Sequence, residues 1–151
     1  MIEIRRATDA DRVAIARLHE ASIRTLGPRA YTAEEVESWA VHIYPQQYRI
    51  EQQMYVATDD DRVIGFGHYH EGEIAAVYVD PEHVGRGVGR ALIEKLEEVA
   101  RAGGMSHLVL NAALNSVGFY ETCGYRRTRD ILYRTRGGGV LMTCAFMEKD
   151  L

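Results

Sequence analysis

Residues 77–96 read VYVDPEHVGRGVGRALIEKL, in which an apolar strand meets a glycine-rich loop that runs directly into a helix. Glycine at every second position from 85 to 89 lets the backbone approach a ligand closely. The unpaired N–H groups and the positive dipole at a helix start suit an anion such as a pyrophosphate, and Arg86 and Arg90 add positive charge nearby. The stretch therefore predicts an anion-binding loop, although three alternate glycines are also compatible with a flexible turn before a helix.

Two common nucleotide-binding motifs do not fit this loop. A P-loop ends in Gly-Lys followed by Ser or Thr, and no such sequence is present here. A Rossmann fingerprint has the spacing G-x-G-x-x-G in an N-terminal βαβ unit, with an acidic residue about 20 positions later, whereas this strand lies in mid-chain after several others. A dinucleotide-binding protein is therefore the weakest of the interpretations considered for this loop. Preferential binding of NAD or ATP would support it.

Hydrophobic periodicity and turn residues predict the elements on either side of this stretch. Upstream, the predicted elements are a strand over residues 2–6, a helix from Thr8 to the Gly27-Pro28 pair, a helix that starts at the capping box of Thr32 and Glu35 and stops before Tyr44-Pro45, and strands over 54–58, 62–70 and 73–79. Downstream, they are a helix from about Gly87 to Gly103-Gly104, a strand over 107–112, a short helix capped by Asn115 and closed by Gly124, and two strands around Gly137-Gly138-Gly139.

The order β-α-α-β-β-β-α-β-α-β-β predicts one α/β (α+β) domain over residues 1–151, built on a mixed sheet. A chain of 151 residues is too small for two well-packed domains. Its composition, 46% hydrophobic and 26% charged residues, argues against a disordered or fibrous protein.

The charge and the cysteines argue against several classes of partner. The net charge of −4 and the lack of a Lys/Arg block argue against nucleic acid as a partner. Cys123 and Cys144 lack metal-ligand spacing, so we expect free thiols in the core and no metal. No stretch approaches the roughly 18 apolar residues of a membrane span, and the N-terminus is too polar for a signal peptide. A cytoplasmic protein without a membrane partner is expected.

The glycine-rich loop resembles the acyl-CoA pyrophosphate loop of the GNAT acetyltransferase superfamily. That loop has the pattern Q/R-x-x-G-x-G/A after a strand ending in V-x-P or V-D-P, and Val79-Asp80-Pro81 and Gly87-Val88-Gly89 match it. Val84 stands where Gln or Arg is usual, a small departure because backbone N–H groups make most of the loop's contacts. The resemblance implies the GNAT fold, a mixed and mostly antiparallel central sheet flanked by about four helices.

A second segment, residues 110–126, resembles the strand, loop and helix of the same family that end in F-Y-E-x-x-G-Y/F. Its sequence is LNAALNSVGFYETCGYR, and Tyr120 falls on the tyrosine that acts as general acid beside the CoA sulfur in many members. The asparagine often found seven residues earlier is Ala113 here. Asn115 or Asn111 is expected to take its place against pantetheine.

Together the two motifs imply an N-acetyltransferase that transfers an acetyl group from its co-substrate acetyl-CoA to a primary amine by direct attack in a ternary complex. A small-molecule amine is favoured over a protein amino group, and the family also suggests a homodimer. The residues implied to bind acetyl-CoA are Val77, Tyr78, Val79, Val84, Gly85, Arg86, Gly87, Val88, Gly89, Arg90, Asn115, Phe119 and Tyr120.

The resemblance also implies a general base and an acceptor site. Glu73 aligns with a catalytic glutamate of some members, and His68 and His70 on the preceding strand are its rivals. Tyr31, Trp39 and His70 are expected to contact the acceptor. Aromatic and acidic side chains are concentrated around Trp39, and such a set suits a cation.

A non-catalytic acyl-CoA-binding or sensing module on the same fold is the alternative. It is motivated by Val84 and Ala113, which depart from the family's pattern. The retained Tyr120 argues for the enzyme.

Overall fold

The structure, a computed structural model, describes all 151 residues, which form seven strands and four helices. The strands are β1 (Ile2–Arg6), β2 (Met54–Asp59), β3 (Arg62–His70), β4 (Glu73–Val79), β5 (His107–Ala113), β6 (Arg126–Arg134) and β7 (Leu141–Asp150). The helices are α1 (Arg12–Leu26), α2 (Ala33–Ala40), α3 (Val88–Ala102) and α4 (Val117–Thr122). Element order and type agree with the sequence-based prediction, and every predicted strand is present.

All seven strands form one sheet in the order β1-β2-β3-β4-β5-β7-β6. Only the β4–β5 pair is parallel, and every other neighbouring pair is antiparallel. The final strand β7 lies between β5 and β6, so β1 and β6 are the two edges. The predicted mixed, mostly antiparallel sheet with four helices is confirmed.

Local capping chemistry sets the helix boundaries. At α2, the Thr32 hydroxyl accepts a hydrogen bond from the Glu35 N–H, and the Glu35 carboxylate accepts one from the Thr32 N–H. This is the reciprocal capping box that the sequence predicts. Helix α1 ends at Leu26, immediately before the Gly27-Pro28 pair.

The predicted start of α4 is wrong in one respect, because Asn115 does not cap the helix. A 3-10 turn over Leu114–Ser116 carries the chain into α4, and Ser116 occupies the N-cap position without a side-chain hydrogen bond. The tight turn places the helix start further along the chain. The Asn115 side chain is thereby left available for another purpose.

Helix α3 packs unusually close to β3 because two glycines of that strand offer no side chain on the contact. A Cβ at Gly65 would lie 3.0 Å from a Val88 methyl, and one at Gly67 would lie 3.1 Å from a Leu96 methyl. Leu92 and Leu96 are fully buried in the core formed there. This packing fixes the start of α3 beside the end of β4.

Helix α1 belongs to a second core, formed with the β2 and β3 side chains Val56 and Phe66. Helix α2 contributes Trp39 to a third cluster that includes Ile23 of α1 and Met142 of β7. Both cysteines are buried and free, as predicted. None of the four helices is long and apolar enough to cross a membrane.

Candidate active site

The two central parallel strands separate soon after they meet. β4 and β5 pair only at Glu73 with Val109 and Ile74 with Leu110, near the first residues of β4. Beyond Ile74 the strands diverge, so the β4 backbone groups that face β5 have no strand partner there. The gap between the strands opens into a cavity of about 440 Å³.

An irregularity in β4 determines which of its side chains face this gap. His68 is opposite Ala76 while Tyr69 is opposite Ile74, so Ala75 is an extra residue in β4. The bulge places Ile74 in the core beneath α3. Tyr78, further along β4, packs instead against the clusters formed with α1 and α2.

The glycine-rich loop closes one end of the cavity, as the anion-binding prediction requires. Gly85 and Gly87 have φ values of 77° and 83°, which favour glycine, and a Cβ at either position would point into open space. Gly87 is the N-cap of α3, whose first turn carries no acidic residue. The loop therefore presents free N–H groups, the positive end of a 15-residue helix and empty space, which together suit an anion.

Gly89 has a different function from the two glycines before it. A Cβ at this position would lie 2.9 Å from the Phe119 ring of α4. The absence of a side chain therefore allows α3 and α4 to approach each other, which brings Tyr120 to the same cavity as the glycine loop.

Twelve of the thirteen residues predicted to bind acetyl-CoA line this one cavity; they are Val77, Tyr78, Val79, Val84, Gly85, Gly87, Val88, Gly89, Arg90, Asn115, Phe119 and Tyr120. Arg86 does not line it. Its exposed guanidinium pairs with the Asp59 carboxylate at 3.2 Å, because alternation along the loop turns it towards the end of β2. Arg90 is placed as expected and donates a hydrogen bond to the Thr122 carbonyl of α4.

Tyr120 is buried, with its ring 5.1 Å from that of Phe119 and 6.0 Å from that of Tyr125. Burial raises the pKa of its phenol well above the usual value of 10, and the nearby Tyr78 adds to the rise. Burial also raises the pKa of Tyr78 to about 12. Both phenols therefore carry their protons at neutral pH.

Two buried polar atoms of cavity-lining residues lack a hydrogen-bond partner. They are Oδ1 of Asn115 and Nδ1 of His83. Buried polar atoms in proteins are almost always satisfied, so these two atoms mark polar groups that a ligand would complete. The His83 Nδ1 also lies 3.8 Å from the Asp80 carboxylate. Asn115 and Asn111, the two candidates for the pantetheine contact, both line the cavity.

Of the residues predicted as general base or acceptor contacts, only one lines the cavity. Trp39 lines it, whereas Glu73, Tyr31 and His70 do not. Glu73 is exposed and lies opposite His70 in the β3–β4 pair, one residue before the strands diverge.

Tyr31 is held in a structural position. Its hydroxyl donates to the Thr143 carbonyl at 2.7 Å and accepts from the Leu114 N–H at 2.8 Å. It therefore ties the start of α2 to β7 and to the turn before α4. Its ring supports Trp39 edge-on at 5.7 Å, so its contact with the cavity is indirect.

Sequence reasoning did not find Ser22, Arg29 and His83, all of which line the cavity. Ser22 and Arg29 come from α1 and the turn after it, far from either motif in sequence. Only the fold brings them to the site. His83 lies within the glycine-rich stretch itself, where its ring could have been recognised as a polar group next to an anion-binding loop.

Comparison with known proteins places this arrangement in context. The family model for the acetyltransferase (GNAT) domain matches residues 28–146. Over 55 residues the chain is 42% identical to glucosamine 6-phosphate N-acetyltransferase of Trypanosoma brucei brucei, a match that covers 36% of this chain. The chain spans only 37% of that relative's length.

Solved structures show the same fold over the whole chain. A GCN5-related N-acetyltransferase from Rhodopseudomonas palustris, described as an Aminotransferase, Class-II, superposes with a TM-score of 0.92 at 28% identity, covering 99% of this chain and 95% of that one. The YncA acetyltransferase of Salmonella typhimurium, solved with its cofactor acetyl-CoA, gives a TM-score of 0.69 at 21% identity and covers 100% and 94% of the two chains.

Proposed function

The chain belongs to the GNAT acetyltransferase family, and on that premise we propose that it transfers the acetyl group of acetyl-CoA to the primary amine of a small molecule. One observation carries the proposal. A single cavity joins the glycine loop at the start of α3, the diverging β4 and β5, the Tyr120 phenol, and walls contributed by α1 and α2. It therefore offers room for a long thioester at one end and an acceptor at the other.

The residues around the cavity fit acetyl-CoA. The loop from Gly85 to Gly89 would hold the pyrophosphate through N–H groups and the helix dipole, with Arg90 adding charge. The unpaired edge of β4 offers backbone groups to the pantetheine arm. Asn115, whose buried Oδ1 lacks a partner, would accept a hydrogen bond from the same arm.

Acetyl-CoA supplies an acetyl thioester, and the chain's residues supply position and protons. Tyr120 holds its proton because burial raises its pKa, so its phenol is a proton donor for the sulfur that leaves as the C–S bond breaks. The amine forms the new C–N bond and loses one proton. Glu73 lies outside the cavity lining, so it would accept that proton through water.

The acceptor walls favour a small molecule over a protein. Ser22 and Ile23 of α1 and Trp39 of α2 line the cavity on the side away from the glycine loop. The named substrate of the Trypanosoma relative, glucosamine 6-phosphate, is also a small amine. A non-catalytic binding module on the same fold would not need the Tyr120 phenol in the cavity.

Thermal unfolding with acetyl-CoA, CoA, NAD and ATP tests the binding half of the proposal. A ligand at 100 times its dissociation constant adds about 2.7 kcal/mol of stability. We expect a rise with acetyl-CoA and CoA alone, which Gly87→Asp abolishes by placing a carboxylate where the pyrophosphate binds.

Gly104→Asp is the matched control, because Gly104 also has a positive φ of 85° with open space around it but lies at the far end of α3. It therefore reproduces the backbone strain without touching the loop. A rise with NAD or ATP and none with CoA would refute the proposal.

Thiol release from acetyl-CoA in the presence of primary amines tests the catalytic half. Amine-dependent release above the rate without amine is expected. If acetyl-CoA binds specifically but no amine of a broad panel accelerates thiol release, the chain is the non-catalytic module instead.

A further inference from the structure

The charges around the cavity are unbalanced. Its lining includes two arginines, Arg29 and Arg90, but no aspartate or glutamate. The whole chain carries a net charge of −4, so the surplus of positive charge is local to this cavity. The acidic side chains near Trp39 in sequence do not reach it, and the Glu35 carboxylate is engaged in the α2 capping box.

A pyrophosphate at the glycine loop accounts for one of these two arginines. Arg90 is in the first turn of α3, where it also contacts α4. Arg29 lies elsewhere. It ends the 3-10 turn Gly27–Arg29 between α1 and α2, on the side where the acceptor is expected.

Arg29 also lacks a carboxylate partner. Arg24, slightly earlier in the same region, pairs with Glu20 and Glu37 on the outer side of the helices. Arg29 makes no such pair, although it lines a cavity whose wall includes Leu26 and Trp39. A guanidinium that is left unpaired beside apolar surface is a ready binding group for an anion.

A second unpaired arginine, Arg136, is exposed in the β6–β7 turn and is not among the cavity-lining residues, although its turn packs on α2 next to Trp39. The turn is held on α2, because the Gly137 N–H donates to the Ser38 carbonyl at 3.0 Å and the Ser38 and Thr135 hydroxyls are hydrogen-bonded to each other. Like Arg29, Arg136 has no carboxylate partner. The turn therefore fixes the Arg136 backbone, while the guanidinium forms no ion pair.

The positive charge of Arg136 also influences the pKa values of buried groups near the cavity. Burial is the largest influence on the pKa values of His19, Tyr48 and Tyr78. The second is the positive charge of Arg136, which lowers all three. Of these three groups Tyr78 lines the cavity, and His19 packs on the Tyr78 ring at 4.2 Å.

We propose that the acceptor is an amine that also carries a carboxylate or phosphate, and that Arg29 binds this anionic group, with Arg136 of the neighbouring turn adding positive charge. The inference rests on the proposed acetyltransferase function and adds the chemical class of its acceptor. The aromatic walls of Trp39 and Tyr78 then contact the body of the acceptor, while Arg29 orients its amine towards the glycine-loop side. The cationic acceptor expected from the sequence would meet like charge here.

Acetyl transfer to matched amines tests the proposal. One pair is an α-amino acid and its carboxamide, which differ by a carboxylate. The other is glucosamine 6-phosphate and glucosamine, which differ by a phosphate. We measure kcat and KM for each acceptor, and the Kd of acetyl-CoA by titration calorimetry. The variants are Arg29→Gln and Arg136→Gln. Arg17→Gln is the control, because Arg17 is exposed on α1, unpaired and outside the cavity.

In at least one pair, the anionic amine is expected to have a kcat/KM about ten-fold or more above its neutral partner. Arg29→Gln should reduce that value about ten-fold, chiefly through KM, as expected for loss of a charge-assisted hydrogen bond, and Arg136→Gln should reduce it by a smaller factor. The kcat/KM for the neutral amine and the Kd of acetyl-CoA should be unchanged in these variants. Arg17→Gln should leave all of these values unchanged.

Three results would overturn the inference. A kcat/KM for the neutral amines that equals or exceeds that for the anionic amines would show that no anion is recognised. The proposed acetyltransferase function would not be affected by that result. Weaker acetyl-CoA binding in Arg29→Gln, with an unaltered preference among acceptors, would assign Arg29 to the co-substrate. Specific acetyl-CoA binding without transfer to any amine would contradict the proposed function as well.

Discussion

Tyr120 and Tyr125 are five residues apart and their rings touch, yet their hydroxyl groups have different environments. The Tyr120 side chain lines the cavity. The Tyr125 hydroxyl is buried and donates to Oε2 of Glu97 at 2.9 Å, where the Lys149 ammonium also donates at 2.8 Å. The first phenol therefore belongs to the cavity, where we propose that it is the general acid, and the second satisfies a buried carboxylate.

At the residue scale, the same substitution at these two positions should have opposite effects. Tyr120→Phe should lower kcat by about 10²- to 10⁴-fold, the usual contribution of a general acid, and leave the Kd of acetyl-CoA and the stability nearly unchanged. Tyr125→Phe should retain kcat but lower the free energy of unfolding by about 1–3 kcal/mol, because Glu97 loses a donor. Steady-state kinetics and urea unfolding measure both effects. Full turnover by Tyr120→Phe would exclude its role as the acid.

At the element scale, the site depends on how closely α3 approaches its neighbours. Gly65 and Gly67 admit α3 to the sheet, and Gly89 admits it to α4. These contacts place the start of α3 at the mouth of the diverging β4 and β5. The arrangement joins an anion-binding helix end to a strand with unpaired backbone groups, although α3, β4 and α4 are separate along the chain.

Alanine at two helical glycines should separate this packing function from simple helix propensity. Gly89→Ala should cost about 1–3 kcal/mol of stability and weaken acetyl-CoA binding, because its Cβ would lie 2.9 Å from Phe119. Gly118→Ala in α4 meets no atom within 4 Å and should stabilise the protein by up to about 1 kcal/mol. Urea unfolding and calorimetry distinguish the two. Equal stability of both variants would contradict the close contact between α3 and α4.

At the scale of the whole molecule, burial of His19 links folding to pH. Its ring lies among Tyr48, Phe66 and Tyr78, and Nδ1 is 2.9 Å from the Tyr48 hydroxyl. Burial, assisted by the charge of Arg136, lowers its pKa from 6.5 to about 3. The folded protein therefore keeps His19 neutral in a range where the unfolded chain protonates it.

The sign of this linkage is a loss of stability on acidification. Between pH 6.5 and about 3 the unfolded state binds the extra proton, so His19 should cost about 2 kcal/mol of stability between pH 7 and pH 5. His19→Gln should remove this part of the loss, whereas His42→Asn at an exposed, positive-φ position should not. Urea unfolding at the two pH values gives the difference. An unchanged pH dependence in His19→Gln would show that the ring titrates normally.

The sequence alone was sufficient for the elements and for the residues nearest the two motifs. Strand alternation, helical periodicity, the capping box at Thr32 and the breaker pair after Leu26 are local signals, because they act between residues close in the chain. The glycine loop and Tyr120 were found for the same reason, since each lies within a short segment with its own pattern. The exception among these local predictions was the cap at Asn115, where a 3-10 turn displaced the helix start.

Only the tertiary structure decided which separate segments share the cavity. The separation of β4 from β5, the bulge at Ala75, and the position of Arg29 at the cavity depend on packing between elements remote in sequence. The same packing turns Arg86 towards Asp59 and engages the Tyr31 hydroxyl in two hydrogen bonds with the backbone. The sequence thus determined the local conformation and the glycine-loop end of the cavity. Long-range packing determined the opposite end, because the side chains there have no mutual spacing along the chain that a local pattern could reveal.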